Sequence, residues 1–224
     1  MFKIIAMLVL VVASLTFAVF EIYSTNYPFV LASEEARKSL EVTPAQMKEL
    51  RSAELSSDMI AYGIFSTLMC GAIAACCSLS KNTAGQLLGL VIGLVFGASA
   101  GAGMGWIGHW LELNPAFVIS DPMIYSVVRW SIMLLPVAIA AGIATSISTG
   151  SLNELGHAVL GAILGAVSAA AVYSVVAGAL TTIEARSKIL PFHDANRIWI
   201  VAASVSCIGA GIILQLHRKR GVEQ

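Results

Sequence analysis

The chain has 224 residues, of which 58% are hydrophobic and only 12% are charged, and its 13 basic and 13 acidic residues leave no net charge. An ordinary soluble domain carries roughly 25% charged residues. The low charge and the mean hydropathy of +0.84 therefore exclude an ordinary soluble domain and indicate an integral membrane protein. The basic residues are scattered along the chain, which argues against a nucleic-acid partner.

The first apolar run, residues 4–20, follows Met1-Phe2-Lys3. Its length suits either a membrane span or a signal sequence. The small-residue sequence at 30–32, which resembles a cleavage site, lies well beyond the run. We therefore interpret residues 1–22 as an uncleaved N-terminal transmembrane anchor, with a signal sequence as the alternative.

Residues 23–57 form the only long polar segment and are predicted to be extramembrane and partly helical. A short charged helix is expected after Ser33, because Glu34 and Lys38 are spaced four apart. A second helix begins at residues 43–46 (Thr-Pro-Ala-Gln), which combine an N-cap, a first-turn proline and a capping-box glutamine. We expect it to continue into the next span. The segment is either a docking surface for a partner or a solvated linker.

The rest of the chain, residues 58–217, is predicted to be a bundle of five spans, followed by a basic cytoplasmic tail, residues 218–224. With the anchor, six apolar runs are each about long enough to cross a hydrocarbon core of roughly 30 Å. Asp121 and Pro122 are expected to start the fourth span as its N-cap and first helical residue. The fold class is therefore an all-α polytopic membrane helix bundle. The apolar runs are residues 4–20, 59–79, 84–110, 124–147, 155–181 and 197–216.

The third span carries a glycine at every fourth position. In water each interior glycine costs a helix roughly 0.8 to 1 kcal/mol relative to alanine. In lipid, small residues four apart let two helix backbones approach closely, and this packing drives association. We therefore predict a glycine-zipper helix at the centre of the bundle and a shorter stripe in the fifth span. The helix-packing residues are Gly85, Gly89, Gly93, Gly97, Gly101, Gly105, Gly161 and Gly165.

An internal repeat is also predicted. Residues 72–75 (Ala-Ile-Ala-Ala) recur at 138–141. This similarity suggests a parallel helix-hairpin repeat, residues 59–110 and 124–181, of a kind found in some transporters. Chance similarity is the alternative, because alanine, glycine, isoleucine and leucine dominate any such helix.

The orientation follows from the basic residues. With six spans, Lys3, Lys81 and the C-terminal tail fall on one side, which favours cytoplasmic termini in a plasma or inner membrane. Basic residues of the 23–57 segment lie on the other side and weaken this assignment. The tryptophans fall near that other face, as an interfacial aromatic belt does.

Three ionisable residues near the aromatic face are candidates for a functional site, because charges close to a membrane span are costly. His109 and Glu112 lie three apart at the end of the third span, and Arg129 lies in the first turns of the fourth. We predict an ion pair between Arg129 and Glu112, with His109 beside it. This group is either a ligand-binding vestibule or an interfacial salt bridge.

No metal, cofactor or catalytic residue is expected. Glu154 and His157 are also three apart, but they lie at the opposite membrane face from the first Glu/His pair and cannot share a metal site with it. The four cysteines lie within apolar stretches and lack a second ligand pair.

Two classes of function remain. The first is a non-enzymatic structural, assembly or accessory subunit, which sits in the lipid bilayer as a homo-oligomer or in a larger membrane complex. The second is a small-solute transporter or channel with a polar vestibule. The span centres contain few polar residues, whereas transporter sites usually include polar or broken helices near the midplane. We therefore favour the first class and expect no enzymatic activity.

Overall fold

The computed structural model describes residues 30–38, 43–77, 83–114, 119–150, 152–180 and 194–222. Within these ranges the protein consists of helices and short connections, without strands. The predicted N-terminal anchor lies outside them. The helices are α1 (Glu34–Lys38), α2 (Pro44–Cys77), α3 (Thr83–Leu113), α4 (Pro122–Thr149), a 3-10 turn (Leu152–Glu154), α5 (Leu155–Leu180) and α6 (Asp194–Val222).

Helix α2 begins at the predicted capping box. The backbone N–H of Thr43 donates to Gln46 Oε1 at 2.9 Å, and the backbone N–H of Gln46 donates to Thr43 Oγ1 at 3.4 Å. From Pro44 the helix continues for 34 residues to Cys77, about 51 Å at 1.5 Å per residue. The predicted continuation of this helix into the membrane span is confirmed.

Helix α4 begins as its sequence predicts. The Asp121 carboxylate accepts hydrogen bonds from the backbone N–H groups of Met123 and Ile124, at 2.8 and 2.9 Å, and Pro122 occupies the first turn. The helix ends at Gly150, whose φ of 68° is in the left-handed region. Glycine adopts this conformation without steric cost.

Four of the described helices, α2 to α5, are long and apolar enough to cross a membrane. Helix α6 contributes a shorter apolar stretch, Ile200–Leu216. These lengths support a membrane-embedded helical protein. The count of six spans stays a prediction, since the first predicted span is not among the described residues.

Consecutive helices pack against each other from α2 to α6, and α4 also contacts α2 and α6. Among the described helices, α4 therefore lies in the middle, and 56% of its most apolar 18-residue stretch is buried. Large side chains that are completely buried form much of the core. They include Met69, Ile73, Met104, Met133, Leu134, Val137, Ile208 and Ile212.

Among the described helices, α3, which carries the glycine stripe, lies at the edge, and only 28% of its most apolar 18-residue stretch is buried. The described residues therefore do not confirm its predicted place at the centre of the bundle, and that place stays a prediction. The stripe occupies one side of the helix, and much of its remaining surface consists of large apolar side chains that are exposed. The exposed residues are Leu87, Leu88, Leu90, Val91, Val95, Phe96, Trp106 and Trp110.

Candidate functional site

Helices α2 and α3 are in contact along their backbones. A methyl group built on Gly93 would lie 2.7 Å from the carbonyl oxygen of Cys70, and one on Gly97 would lie 2.5 Å from that of Ser66. Such distances are well inside van der Waals contact, so only glycine fits at these positions.

The contact continues toward the N-terminal end of α2 and the C-terminal end of α3. A methyl group on Gly101 would overlap the carbonyl group of Tyr62, and one on Gly105 would lie 2.9 Å from Met59 Cα. For each step of four residues up the glycine stripe of α3, the contacted residue number on α2 therefore falls by about four. The two helices run antiparallel with their backbones in contact over four successive crossings.

The two remaining glycines of the long stripe lie near the other end of α3. A methyl group on Gly89 would lie 2.5 Å from Ser148 Cβ and 3.3 Å from the Ala74 carbonyl oxygen. Gly89 is thus at the junction of α2, α3 and α4. Gly85 is partly buried in the first turn of α3.

The shorter stripe, in α5, packs on α6. A methyl group on Gly161 would overlap the carbonyl group of Gly211, and one on Gly165 would overlap that of Cys207. Gly89 and Gly93 are the counterparts of Gly161 and Gly165 in the predicted repeat. Gly93 faces its own hairpin partner α2 and Gly89 faces both α2 and α4, whereas Gly161 and Gly165 face α6 instead of α4. The repeat itself stays a prediction.

The predicted ion pair is present between α3 and α4. Arg129 Nη2 donates a hydrogen bond to Glu112 Oε1 at 2.7 Å, a length typical of a charge-assisted bond. The Arg129 side chain is 3% exposed, whereas that of Glu112 is 36% exposed. The guanidinium carbon also lies 5.9 Å from the centre of the Tyr125 ring. A buried cation is thus paired with a partly exposed carboxylate.

Asp58 and Tyr62 are two further members of this cluster that were not predicted from the sequence. Both are buried, at 3% and 2% exposure. The charges of Asp58, Arg129 and Glu112 all act on the Tyr62 hydroxyl, so these groups share one region of the bundle. Gly105 brings α3 onto the backbone of α2 at Asp58. The glycine stripe therefore ends where the charged cluster begins.

Helix α5 adds aromatic and hydroxyl groups at the same level. The rings of Trp130 and Tyr173 pack edge to face, with centroids 5.1 Å apart. Ser174 Oγ donates to Ser126 Oγ at 2.9 Å, and both serines are buried. The charge of Arg129 also acts on the Tyr173 hydroxyl. We name Asp58, Tyr62, Glu112, Tyr125, Ser126, Arg129, Trp130, Tyr173 and Ser174 together the outer polar cluster.

His109 takes no part in the ion pair. Its Nδ1 atom is buried and has no hydrogen-bond partner among the described residues. It lies about one helical turn before Glu112 on α3. The structure therefore brings together two of the three predicted vestibule residues and leaves the third beside them.

The residues considered for metal binding are distributed over the molecule. Glu154 belongs to the 3-10 turn and His157 to the first turn of α5. The Cys70 thiol donates to the carbonyl oxygen of Val137 at 3.6 Å. Across the described ranges, no three His, Cys, Asp or Glu side chains gather where they could hold a metal ion.

Outside the predicted spans, residues 30–38 and 43–57 form a small structural unit that we name the platform. The backbone N–H of Val30 donates to Ser57 Oγ at 3.0 Å, and that of Ser33 donates to Glu49 Oε1 at 2.6 Å. Three alanines, at positions 32, 36 and 53, form its small core. A groove of about 370 Å³ lies between the segment at Val30 and the first turns of α2.

Comparison with known proteins assigns no family to this chain. No protein-family model matches its sequence, and no curated protein or solved structure matches it.

Proposed function

We propose that this chain is a non-enzymatic structural or assembly subunit of a membrane, packed through its glycine-striped helices. The observation that carries the proposal is the backbone contact between α2 and α3 at Gly93, Gly97, Gly101 and Gly105. Helices held at this distance leave no passage for a solute between them. The contact instead gives extensive van der Waals packing, which is a main source of helix association in lipid.

In this proposal the stripe of α3 acts as an intramolecular glycine zipper. The apolar outer side of α3 then remains available to lipid or to other membrane chains. The protein would act as a homo-oligomer or within a larger membrane complex. Cytoplasmic termini, in a plasma or inner membrane, would place the platform on the opposite side.

The platform is the proposed contact with a partner outside the membrane. Because the first turns of α2 belong to the same continuous helix as the membrane span, the platform is held rigidly to the bundle. Its surface carries both signs of charge, as protein-binding surfaces commonly do at their rims. The exposed charged residues are Glu34, Glu35, Arg37, Lys48, Glu49, Arg51 and Glu54.

The test is the mass of the complex extracted gently from its native membrane. A C-terminal affinity tag and native mass spectrometry would be used, and we expect a homo-oligomer or co-purifying larger subunits. A matched variant with Lys48→Glu and Arg51→Glu should lose a subunit bound through the platform and keep the bundle intact. A monomer without any partner would contradict the proposal.

A second candidate, a small-solute transporter or channel, is favoured by the outer polar cluster. Buried ionisable residues in membrane helices commonly mark substrate or ion pathways. Arg129, Glu112 and His109 would form the vestibule. Flux assays in proteoliposomes would test this, because Arg129→Gln and Glu112→Gln should each abolish transport. Equal flux in empty liposomes and in proteoliposomes of the wild-type protein would exclude it for the solutes tested.

A further inference from the structure

One side of α2 is more covered than its described neighbours explain. Ile64, Leu68 and Ala75 share this side, because steps of four and seven residues return to nearly the same direction on a helix. All three are partly buried, but among the described residues they neither belong to the main core nor pack on it. On the side of α3 that faces away from α2, by comparison, Leu87 and Val95 are each 61% exposed. A further element should therefore lie against this side of α2.

The contacts of α3 and α4 lie on other sides of α2. The glycine stripe of α3 meets the carbonyl oxygens of Ser66 and Cys70, and the Cys70 thiol donates to a carbonyl oxygen of α4. At about 100° per residue, Ser66 and Cys70 each lie about 160° around the helix from Leu68. Flexible leucine side chains of α3 reach toward the covered side at Gly71, and α6 touches α2 only slightly. These contacts leave room for another element at the level of Leu68.

The platform lies on the same side of α2. The backbone N–H of Val30 donates to Ser57 Oγ at 3.0 Å, and Ser57 lies on the side of Ile64, seven residues before it. Leu50 and Ala53, which pack with the segment around Ala32, lie on this side as well. The platform therefore already occupies the part of this helix side that stands outside the predicted span.

The chain that precedes the platform is close to the uncovered continuation of this side. Val30 is fixed at Ser57, where the predicted span of α2 begins. Nine residues, 21–29, connect it to the apolar run 4–20, which lies outside the described residues. Nine residues reach at most about 30 Å. The hydrogen bond thus leaves only a short connection between the run and α2, and short connections commonly join neighbouring, antiparallel helices.

We infer that the apolar run 4–20 packs as a helix along the side of α2 that carries Ile64, Leu68 and Ala75, antiparallel to α2. This contact continues the one that the platform makes with the first turns of the same helix. Close van der Waals packing is a main source of helix association in lipid. The inference goes beyond the structural role, and it leaves the outer sides of α3 and α5 to lipid or partner chains.

The level of the contact follows from the two spans. Phe20 ends the apolar run, and Asp58 begins the predicted span of α2, so both are expected at the same face of the membrane. Ten residues inward from each lie Leu10 and Leu68. Because the helices are antiparallel, Leu10 should lie near Leu68, and residues 7–14 should cover about two helical turns around this point.

The first measurement is the intact mass of the protein purified from its native membrane through a C-terminal tag. The inference requires that residues 1–22 remain in the mature protein, as expected for an uncleaved anchor. A mass that lacks them, as after removal of a signal sequence, would overturn it.

Disulfide cross-linking in the native membrane then locates the run. The four native cysteines are replaced by alanine, Leu68→Cys is introduced, and residues 7–14 are replaced by cysteine one at a time. After mild oxidation, most of the protein should shift to an intrachain cross-linked band at positions three or four residues apart, because one side of the run faces α2.

Val95→Cys is the matched control for Leu68→Cys. Val95 is exposed on α3 and lies at the same level, since Gly93 meets Cys70 and Gly97 meets Ser66. It should give no intrachain band with residues 7–14. Equal cross-linking from Val95→Cys, cross-links formed only between two chains, or no cross-link from Leu68→Cys at any position would each contradict the inference.

If the cysteine-free chain fails to fold, a photoreactive side chain tests the same contact with the native cysteines in place. Leu68→p-benzoylphenylalanine should, after irradiation, become joined to a peptide from residues 4–20, as identified by mass spectrometry. Val95→p-benzoylphenylalanine should not. Attachment of the probe at position 68 to lipid alone, or to another copy of the chain, would overturn the inference.

Discussion

Two pairs of antiparallel helices in this bundle are held by glycines, but in different ways. In the α2–α3 pair the glycines belong mainly to α3, and they meet the backbone of α2 at four successive crossings from Gly93 to Gly105. In the α5–α6 pair, Gly161 and Gly211 meet each other, and Gly165 adds one further crossing. The first contact is long and one-sided, whereas the second is short and reciprocal.

The pairs differ in which helix has no room for a side chain. Two glycines of α2, Gly63 and Gly71, also face the stripe, but a methyl group on Gly63 would meet only the Ala98 carbonyl oxygen at 3.7 Å, and one on Gly71 would meet the flexible Leu94 side chain at 3.1 Å. In α6, by contrast, a methyl group on Gly211 would overlap the carbonyl group of Gly161. The first pair should therefore tolerate substitutions in α2 far better than in α3, and the second should be sensitive in both helices.

The largest expected effect is that of Gly93→Leu together with Gly97→Leu. Both side chains would have to enter the backbone of α2, so the pair should separate and the free energy of unfolding should fall by more than about 3 kcal/mol. Thermal stability and oligomer size in detergent measure the effect. Gly103→Leu is the matched control, since nothing lies within 4 Å of a methyl group there. Equal behaviour of the two proteins would contradict the packing role of the stripe.

A smaller effect is expected for the second pair. Gly161→Ala should cost about 2 kcal/mol, because the added methyl group meets the backbone of Gly211. Gly211→Ala should cost a similar amount, and the double variant less than the sum, because both methyl groups push the helices apart at one crossing. Gly156→Ala, which adds a methyl group in open space, is the control. If the losses of unfolding free energy of the two single variants added exactly in the double variant, Gly161 and Gly211 would not act at one common crossing.

The ion pair joins α3 to α4 beyond Gly105, at the end of the glycine stripe. In a double-mutant cycle with Arg129→Gln and Glu112→Gln, we expect a coupling energy of about 1 kcal/mol. The partial exposure of Glu112 keeps this below the value for a fully buried pair. Equilibrium unfolding of the four proteins gives the coupling. Additive losses would mean that the two side chains do not stabilise each other.

The smallest effect should be that of Thr43→Ala in the platform. Loss of the cap at the start of α2 should cost about 1 kcal/mol locally. Protease should therefore cleave the platform faster, while the thermal unfolding midpoint of the bundle stays unchanged. Thr67→Ala is a control within the same helix, since the Thr67 hydroxyl only bonds back to the Gly63 carbonyl oxygen. If Thr43→Ala also lowered the thermal unfolding midpoint of the bundle, the cap would support the whole of α2.

The sequence was sufficient for features that depend on neighbouring residues. Thr43 and Gln46 predicted a capping box, and Asp121 predicted an N-cap, because each motif satisfies backbone groups within a few residues. The Arg129–Glu112 pair was predictable for a related reason. A short connection between α3 and α4 places the end of one helix beside the start of the next.

The partners of the stripe were not predictable. Apolar residues suit both lipid and protein interiors, so the pattern of α3 revealed a side for close packing without showing that α3 lies at the edge of the described helices. Asp58 was missed because it lies between the polar segment and the apolar run, where a charge is ordinary. Tyr62 and Tyr173 join the cluster only through tertiary packing of α2 and α5.

The unbroken course of α2 has a mechanical consequence. About 21 Å of this helix, residues 44–57, stands outside the predicted span, and about 30 Å, residues 58–77, continues through it. An unbroken α-helix transmits force along its axis, and α2 is in backbone contact with α3 at four crossings from Gly105 to Gly93. A load on the platform is therefore carried into the bundle and spread over the whole of this contact, instead of being absorbed by a bend in α2.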